Sequence, residues 1–177
     1  MKNLVKGLIL GVMLSCVNAG ASRVIVAEEI PFKSVEFDGL QFNYRFNGLL
    51  FDIRVRCRTT GWIGVGFDPE LSMKGANIII GYVDKSGLHI SDDYGTDLGE
   101  HQPDVELGGT DDILNAKGFE KAGYTELQFS IPTDSKDAYD KPLKEGESHL
   151  ILLACGRNGG DNFTSKHDRV IMTRLDL

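Results

Sequence analysis

The stretch of sequence that decides the fold is residues 59–67, TTGWIGVGF, followed after a short loop by residues 73–84, MKGANIIIGYVD. Glycines alternate with bulky residues in the first segment, which is the period-two pattern of a β-strand. One face of this strand carries glycine, and such a face lets a flat molecule approach the backbone closely. Asp68-Pro69 indicates a turn. The second segment predicts another buried strand, and Met73 lies in the loop between the two.

Further strands are predicted on both sides of this stretch. Residues 40–46 and 49–58 alternate apolar and polar side chains, and Asn47-Gly48 between them is a strong hairpin signal. Residues 124–131 and 149–155 predict later strands, and one more closes the chain. Without a convincing long helix or a repeat, about nine short strands separated by turns predict an all-β antiparallel sandwich.

Residues 92–117 break this pattern, because Gly, Asp and Pro dominate them. We interpret them as a long connection between strands, and long connections in compact domains are usually functional or mobile. Their acid-rich pieces could bind calcium, but their spacing does not match the helix-loop-helix calcium loop. The favoured interpretation is a solvated loop.

Composition limits the class of partner. The chain has 177 residues, a net charge of −7 and a pI near 5.1. Its length suits one domain of about 150 residues after removal of a leader. Nucleic acid is excluded as a partner, because binding phosphates needs clustered Lys and Arg.

The N-terminus predicts export. Lys2 and Lys6 precede an apolar run over residues 8–14, which small residues follow. This order is typical of a secretory signal peptide, and the run is too short for a permanent membrane span. We therefore predict a signal peptide over residues 1–21, a mature domain over residues 22–177, and a periplasmic or cell-surface location. A buried N-terminal helix is the alternative interpretation.

The cysteines leave two questions open. Cys16 follows a segment similar to a bacterial lipobox, so a lipid on Cys16 could attach the protein to a membrane. Cys57 and Cys155 remain in the mature domain, and export favours a disulfide between them. Both nevertheless lie in apolar strand patterns, where buried free cysteines are common.

The histidines and methionines offer one pairing with a chemical meaning. The chain shows no nucleophile constellation and no zinc-ligand spacing, since its four histidines are scattered. Met73 and His167 each lie at a strand end, where side chains from different strands can converge. A thioether and an imidazole can serve as the axial ligands of haem iron. Taken alone, a single methionine is more often a packing residue and a single histidine more often a surface residue.

Residues 59–67, 73–77 and 81–84 together resemble the core signature of DOMON domains. The resemblance covers residues from about 35 to 177, is most specific over residues 59–84, and implies an immunoglobulin-like β-sandwich. Many members of that family hold b-type haem between a methionine and a histidine, which correspond here to Met73 and His167. Lysine replaces the histidine in related haem subunits, so Lys166 is the alternative ligand. Two positions depart from the family pattern: Asn77 stands where Asp is frequent, and Val170 where Gly is common.

The resemblance implies an exported, non-enzymatic electron-transfer domain that binds haem b non-covalently, with Met73 and His167 as the metal ligands. Its redox partner would be an exported or membrane-bound protein. Candidates for the pocket walls or the adjacent core are Trp62, Ile63, Val65, Phe67 and Ile78. We place the Trp62 indole in the centre of the sandwich core. The main alternative is a haem-free module that binds carbohydrate or another small ligand, and a purely structural or interaction domain is the third.

Overall fold

The computed structural model describes residues 29–177, so the predicted signal peptide and Cys16 lie outside the described residues. The elements in chain order are β1 (Lys33–Phe37), β2 (Leu40–Asn47), β3 (Leu50–Cys57), β4 (Ile63–Phe67), β5 (Asn77–Asp84), β6 (Gly87–Asp97), β7 (Glu100–Pro103), α1 (Asp104–Leu107), β8 (Leu114–Lys121), β9 (Tyr124–Pro132), β10 (Ser148–Gly156) and β11 (His167–Asp176). Because α1 has only four residues, this part of the chain contains no helix long and apolar enough to cross a membrane.

The strands form two antiparallel sheets that pack face to face. The five-stranded sheet has the order β1-β2-β3-β9-β8, and the six-stranded sheet has the order β11-β10-β4-β5-β6-β7. The predicted all-β antiparallel sandwich is confirmed, with eleven strands rather than about nine.

We interpreted residues 92–117 as a long solvated loop, and that interpretation is wrong, because the additional strand β7 lies within this segment and the additional strand β8 begins in it. Both are edge strands, and β8 is exposed at nearly every position, so it lacks the apolar alternation that signals a strand. Strand β6 also continues through Asp92 and Asp93, which are buried despite their charge. Pattern reasoning fails here because burial does not follow hydrophobicity.

Strand β4 occupies a central position in the six-stranded sheet, between β10 and β5. Its bulky residues Ile63, Val65 and Phe67 are fully buried in the core between the sheets. Since side chains alternate along a strand, Gly64 and Gly66 lie on the opposite, outer face of the sheet. The sequence of β4 therefore builds the core with one face and leaves the other face bare.

Trp62 does not lie in this core, so our placement of its indole at the centre of the sandwich is wrong. It belongs to a separate cluster with Ala76, Ile78 and Ile80. This cluster lies on the outer face of the six-stranded sheet, because Ile78 and Ile80 pair with Gly66 and Gly64 of β4. The alternation that buries Ile63 between the sheets turns its neighbour Trp62 outward.

Cys57 and Cys155 are both fully buried in the core between the sheets, and both are free thiols. The Cys57 side chain hydrogen-bonds with Cys155, and this contact together with burial raises the pKa of Cys57. Of the two possibilities that the sequence leaves open, the structure contains the buried thiols.

Candidate functional site

A cleft of about 980 Å³ lies over the outer face of the six-stranded sheet. Its volume falls within the range of about 300–1,000 Å³ that is typical of sites for small molecules and cofactors. The side chains that project from the sheet into it are mostly apolar. They include Ile78, Ile80, Leu152, Ala154, Val170 and Met172.

The floor of the cleft is low because Gly64 and Gly66 have no side chains. A Cβ added to Gly66 would lie 3.3 Å from the Leu152 Cβ, and one added to Gly64 would lie 3.3 Å from the Ile79 carbonyl oxygen. Any larger side chain at Gly66 would extend into the cleft. The glycine pattern of β4 thus has a direct structural consequence, which is room above the sheet.

Met73 lies on one rim of the cleft, in a tight turn that backbone hydrogen bonds hold in place. The Lys74 amide donates to the Leu71 carbonyl at 3.0 Å, and the Ala76 amide donates to the Met73 carbonyl at 3.1 Å. The turn lies directly against Gly95, where an added Cβ would be 1.8 Å from the Met73 carbonyl oxygen. Only glycine at position 95 permits this approach, so β6 helps to fix Met73.

A second contact ties the same turn to the β6–β7 hairpin. The Ser72 hydroxyl donates a hydrogen bond of 2.8 Å to the carbonyl of Leu98, and both residues line the cleft. Met73 itself is half-buried. The backbone that carries Met73 is therefore fixed on both sides, by the bonds of its own turn and by the contact with the β6–β7 hairpin.

His167 and Lys166 line the cleft from the loop that leads into β11, and both are exposed. His167 pairs with Gly156, and the pairing register shifts between Cys155 and Gly156. Such irregularities redirect side chains at the end of a strand. Met73 and His167, which the sequence analysis paired, therefore line the same cleft.

Trp62 anchors this loop. Its indole Nε1 donates a hydrogen bond of 2.9 Å to Ser165 Oγ, and its ring covers Gly156, where an added Cβ would lie 2.5 Å from Nε1. The indole is 6% exposed, so this hydrogen bond is largely protected from water. Trp62 thus packs as a cleft wall and also holds the segment that carries Lys166 and His167.

His101, one of the four scattered histidines, was not among the site residues predicted from the sequence. Its ring also lines the cleft, and Nδ1 is 2.5 Å from a carboxylate oxygen of Asp93. Ser91 donates to the other carboxylate oxygen of Asp93. Asp93 lies on β6 and His101 on the neighbouring strand β7. An apolar–polar alternation could have revealed the pairing of these strands, but the short strand β7 does not show one.

The remaining predicted site residues divide between the cleft and the core. Trp62 and Ile78 line the cleft with their side chains, whereas Ile63 and Phe67 lie between the sheets. Val65 belongs to the core and borders the cleft. Two roles were expected for these residues, pocket wall or adjacent core. Ile63, Val65 and Phe67 belong to the adjacent core, and Val65 alone of the three also borders the cleft.

The profile of the DOMON domain matches residues 38–156. The chain belongs to the DOMON domain family. The resemblance found in the sequence is thereby confirmed, and the match extends from the β1–β2 turn to the end of β10.

Curated relatives share this part of the chain. MOXD1 homolog 2 of Drosophila melanogaster is 34% identical over 100 residues, which cover 56% of this chain and 13% of that protein. Mouse DBH-like monooxygenase protein 2 is 25% identical over 127 residues, covering 71% of this chain and 19% of the relative. Mouse DBH-like monooxygenase protein 1 is 28% identical over 115 residues, covering 65% and 18%. The chain thus spans less than a fifth of the length of these relatives.

Two solved structures share the fold. One is the cytochrome b domain of pyranose dehydrogenase from Coprinopsis cinerea, with a TM-score of 0.60 and 18% identity over 82% of this chain and 81% of that one. The other is the cytochrome domain of Myriococcum thermophilum cellobiose dehydrogenase, with a TM-score of 0.58 and 11% identity over the same shares of the two chains. At these identities the likeness is one of fold alone.

Proposed function

We propose that this DOMON domain binds one haem b non-covalently in the outer-face cleft, with Met73 and His167 as axial ligands, and transfers single electrons. One observation carries the proposal: Met73 and His167 both line one apolar cleft above a floor of glycines. The two structural neighbours, one described as a cytochrome b domain and the other as a cytochrome domain, support it at the level of the fold.

The residues of the cleft suit a large flat apolar ring. The low floor at Gly64 and Gly66 leaves room for a ring above the sheet, and Ile78, Ile80 and Leu152 offer apolar contacts beside it. Burying such surface is favourable by about 25 cal/mol per Å². Non-covalent binding is also consistent with the sequence, which contains no Cys-x-x-Cys-His attachment motif.

Haem b supplies a one-electron iron couple when bound. Ligation by the Met73 thioether would raise its reduction potential, and two protein ligands would leave no open position on the iron. Both features favour electron transfer over oxygen chemistry. The backbone bonds that hold Met73 and the Trp62 contact that holds the His167 loop would keep the two ligands in place during electron transfer.

The N-terminal sequence indicates the cellular location in which the domain would transfer electrons. Residues 1–21 support export to the periplasm or cell surface, and a lipid on Cys16 would add membrane attachment. The domain would exchange electrons with an exported or membrane-bound redox protein. Its role would be to carry electrons rather than to catalyse a reaction. The curated relatives, two of which are named monooxygenases, are several times longer than this chain.

A haem-free module that binds carbohydrate or another small ligand is the second candidate. One observation favours it: the β6–β7 side of the cleft is polar, with Ser91, Asp93, His101 and Gln102 in its lining. Polar groups placed at one end of an apolar cleft are typical of sites that orient a small ligand. This candidate predicts that ligand binding does not depend on the thioether of Met73.

Titration of the purified protein with hemin separates the two candidates. The proposal expects saturation at one equivalent and a low-spin spectrum. Met73→Leu should abolish the six-coordinate low-spin spectrum, because leucine fills similar space without a ligand atom. Met172→Leu is the matched control, since Met172 also lines the cleft and its replacement should leave the spectrum unchanged. Equal spectra for wild type and Met73→Leu would contradict the assignment of Met73.

A second set of variants assigns the opposite ligand. His167→Ala should convert the spectrum to high spin, whereas Lys166→Ala and His101→Ala should preserve the low-spin form. Loss of the low-spin form in Lys166→Ala alone would identify lysine as the ligand. Its loss in His101→Ala alone would place the iron at the β6–β7 side of the cleft.

A further inference from the structure

Three aspartates from distant parts of the sequence meet at the end of the sandwich beside β6. Asp92 lies on β6, Asp104 begins α1, and Asp140 lies in the segment between β9 and β10. Each offers one carboxylate oxygen, and these oxygens all lie within 4.8 Å of one another. We call these three residues the acidic cluster.

Asp92 and Asp104 are buried and largely without hydrogen-bond partners among the described residues, whereas Asp140 is half-buried. Asp104 is fully buried, and neither of its carboxylate oxygens has a hydrogen-bond partner among the described residues. Asp92 is 5% exposed: its Oδ2 accepts a 2.9 Å hydrogen bond from the Asp112 amide, whereas its Oδ1 has no partner in the described part of the chain. Leaving a buried polar group unsatisfied costs about 1–3 kcal/mol, and more when it is charged.

The neighbouring side chains do not compensate this charge. Asn77 donates its amide to Asp140, while its own buried Oδ1 finds no partner within residues 29–177. None of the ion pairs found within the same residues includes a member of the acidic cluster. Within the described residues, the carboxylates of Asp92 and Asp104 and the amide oxygen of Asn77 thus keep unused acceptor capacity, and none of the three cluster carboxylates is paired with a Lys, Arg or His.

The electrostatics reflect this deficit. Burial, followed by repulsion from neighbouring aspartates, raises the pKa of Asp92 to about 8 and that of Asp104 to about 7. Burial is also the main cause that raises the pKa of Asp140 to about 6. A positive charge placed among the three oxygens would remove both causes of instability, because it would neutralise the carboxylates and supply the missing partner.

We propose that the acidic cluster binds a divalent cation, and that this cation is calcium. Every candidate ligand atom is an oxygen, which excludes the soft-ligand sites preferred by zinc and copper. Oxygens within 4.8 Å of one another can share a calcium ion, whose ligands lie about 2.3–2.6 Å from it. Magnesium usually keeps several waters, which a site around the fully buried Asp104 disfavours.

Binding at this position would join separate parts of the fold. The ion would connect β6, the start of α1 and the segment after β9. Tyr139 already begins this connection, because its hydroxyl donates a 2.7 Å hydrogen bond to the Leu107 carbonyl. The site is independent of the haem proposal, since Asp92 points away from the cleft that its neighbour Asp93 lines.

Thermal unfolding of haem-free protein after removal of metals with EDTA tests the site. Calcium at about 100 times its dissociation constant should raise Tm by roughly 5–10 °C, and magnesium at the same concentration should raise it much less. Terbium offers a second readout, because Tyr139, next to Asp140 in the sequence, can sensitise its luminescence. An unchanged Tm with both cations would overturn the site, and equal shifts would overturn its assignment to calcium.

The variant Asp104→Asn separates a cation site from a merely structural role. It should abolish the calcium-dependent rise in Tm, yet in EDTA at pH 8 it should unfold at the same temperature as wild type or higher, because it removes an uncompensated buried charge. Glu106→Gln is the matched control: Glu106 is exposed on the same short helix, and its replacement should leave both values unchanged. A protein that is destabilised, or unfolded, by Asp104→Asn in EDTA would contradict the proposal.

Discussion

Asp92 and Asp93 are consecutive residues of β6, yet they belong to two regions with opposite character. Asp93 points to the outer-face cleft, where Ser91 and His101 satisfy both of its carboxylate oxygens. Asp92 points to the other side and joins the acidic cluster, where one of its oxygens has no partner within the described residues. Because side chains alternate along a strand, Asp93 lies where its hydrogen bonds are satisfied, whereas the next residue, Asp92, lies where they are not.

The difference between the regions lies in what each one lacks. The outer-face cleft lacks side-chain volume, because glycines replace bulky residues on its floor, and its lining is mostly apolar. The acidic cluster lacks positive charge, because none of the ion pairs within residues 29–177 includes its carboxylates. An apolar ring would fill the space above the glycines of the cleft, and a hard cation would neutralise the carboxylates of the acidic cluster. The two regions should therefore respond to different ligands and to different mutations.

The largest expected effect comes from filling the floor of the cleft. Gly66→Leu should weaken hemin binding roughly 100-fold or more, because its side chain would take the space above β4. Gly66→Ala should have a much smaller effect, since the added Cβ would meet Leu152 at 3.3 Å. Hemin titration gives the affinities, and thermal unfolding gives the calcium shift. If Gly66→Leu also removed the calcium shift, the two regions would not be independent.

Replacing the two adjacent aspartates tests the comparison on a single strand. Asp92→Asn should weaken calcium binding by roughly 100-fold, because the charge of the ligands sets the affinity of such sites. Asp93→Asn should leave calcium affinity unchanged and should disturb only the orientation of His101 in the cleft. Calorimetric titration with calcium measures both. Similar losses in the two variants would show that neither side chain has the separate role assigned to it.

The third effect is a pH dependence confined to the acidic cluster. The raised pKa values mean that the folded, metal-free protein keeps protons that the unfolded chain releases between about pH 4 and 8. Stability in EDTA should therefore fall as pH rises through this range, by up to about 1.4 kcal/mol per pH unit for each group that retains its proton. Urea unfolding at pH 5 and pH 8 measures the slope.

Asp104→Asn serves as the reference for this slope. It should make the dependence of the unfolding free energy on pH shallower, because one of the groups with a raised pKa is gone. Saturating calcium should reduce the slope in wild type and leave the variant unaffected. A wild-type protein that becomes more stable in EDTA as pH rises from 5 to 8 would contradict the account of the acidic cluster.

The smallest effect concerns the hydrogen bond that holds the His167 loop. Ser165→Ala removes the acceptor of the Trp62 indole and should cost about 1 kcal/mol of stability. Hemin affinity should fall several-fold, since the loop that carries His167 loses one of its anchors. Ser72→Ala makes the equivalent change on the Met73 rim. Calcium binding should be the same in both variants as in wild type, and a change in either would weaken the comparison.

The sequence predicted the parts of the molecule in which hydrophobicity and burial agree. The alternation in β2 and β3 and the glycine pattern of β4 gave correct strands, and the signature around Met73 gave the family. Sequence could not place Trp62, because a strand pattern does not tell which face lies between the sheets. Met73 and His167 were paired by their positions at strand ends and by resemblance to the family, and only the folded sheet shows that they line one cleft.

The sequence failed where polar residues are buried. Asp92 and Asp104 looked like parts of a solvated loop, because acidic residues among glycines usually are. In the fold they meet Asp140, which lies far along the chain. His101 escaped notice for the same reason, since its partner Asp93 lies across a strand pair too short to show a pattern.

The absorption spectrum of the purified protein, expressed with a supply of haem and recorded before and after reduction with dithionite, tests the central claim most directly. The account predicts a sharp low-spin α-band on reduction, as expected for haem b between two protein ligands. A featureless visible spectrum that persists after incubation with hemin would contradict it.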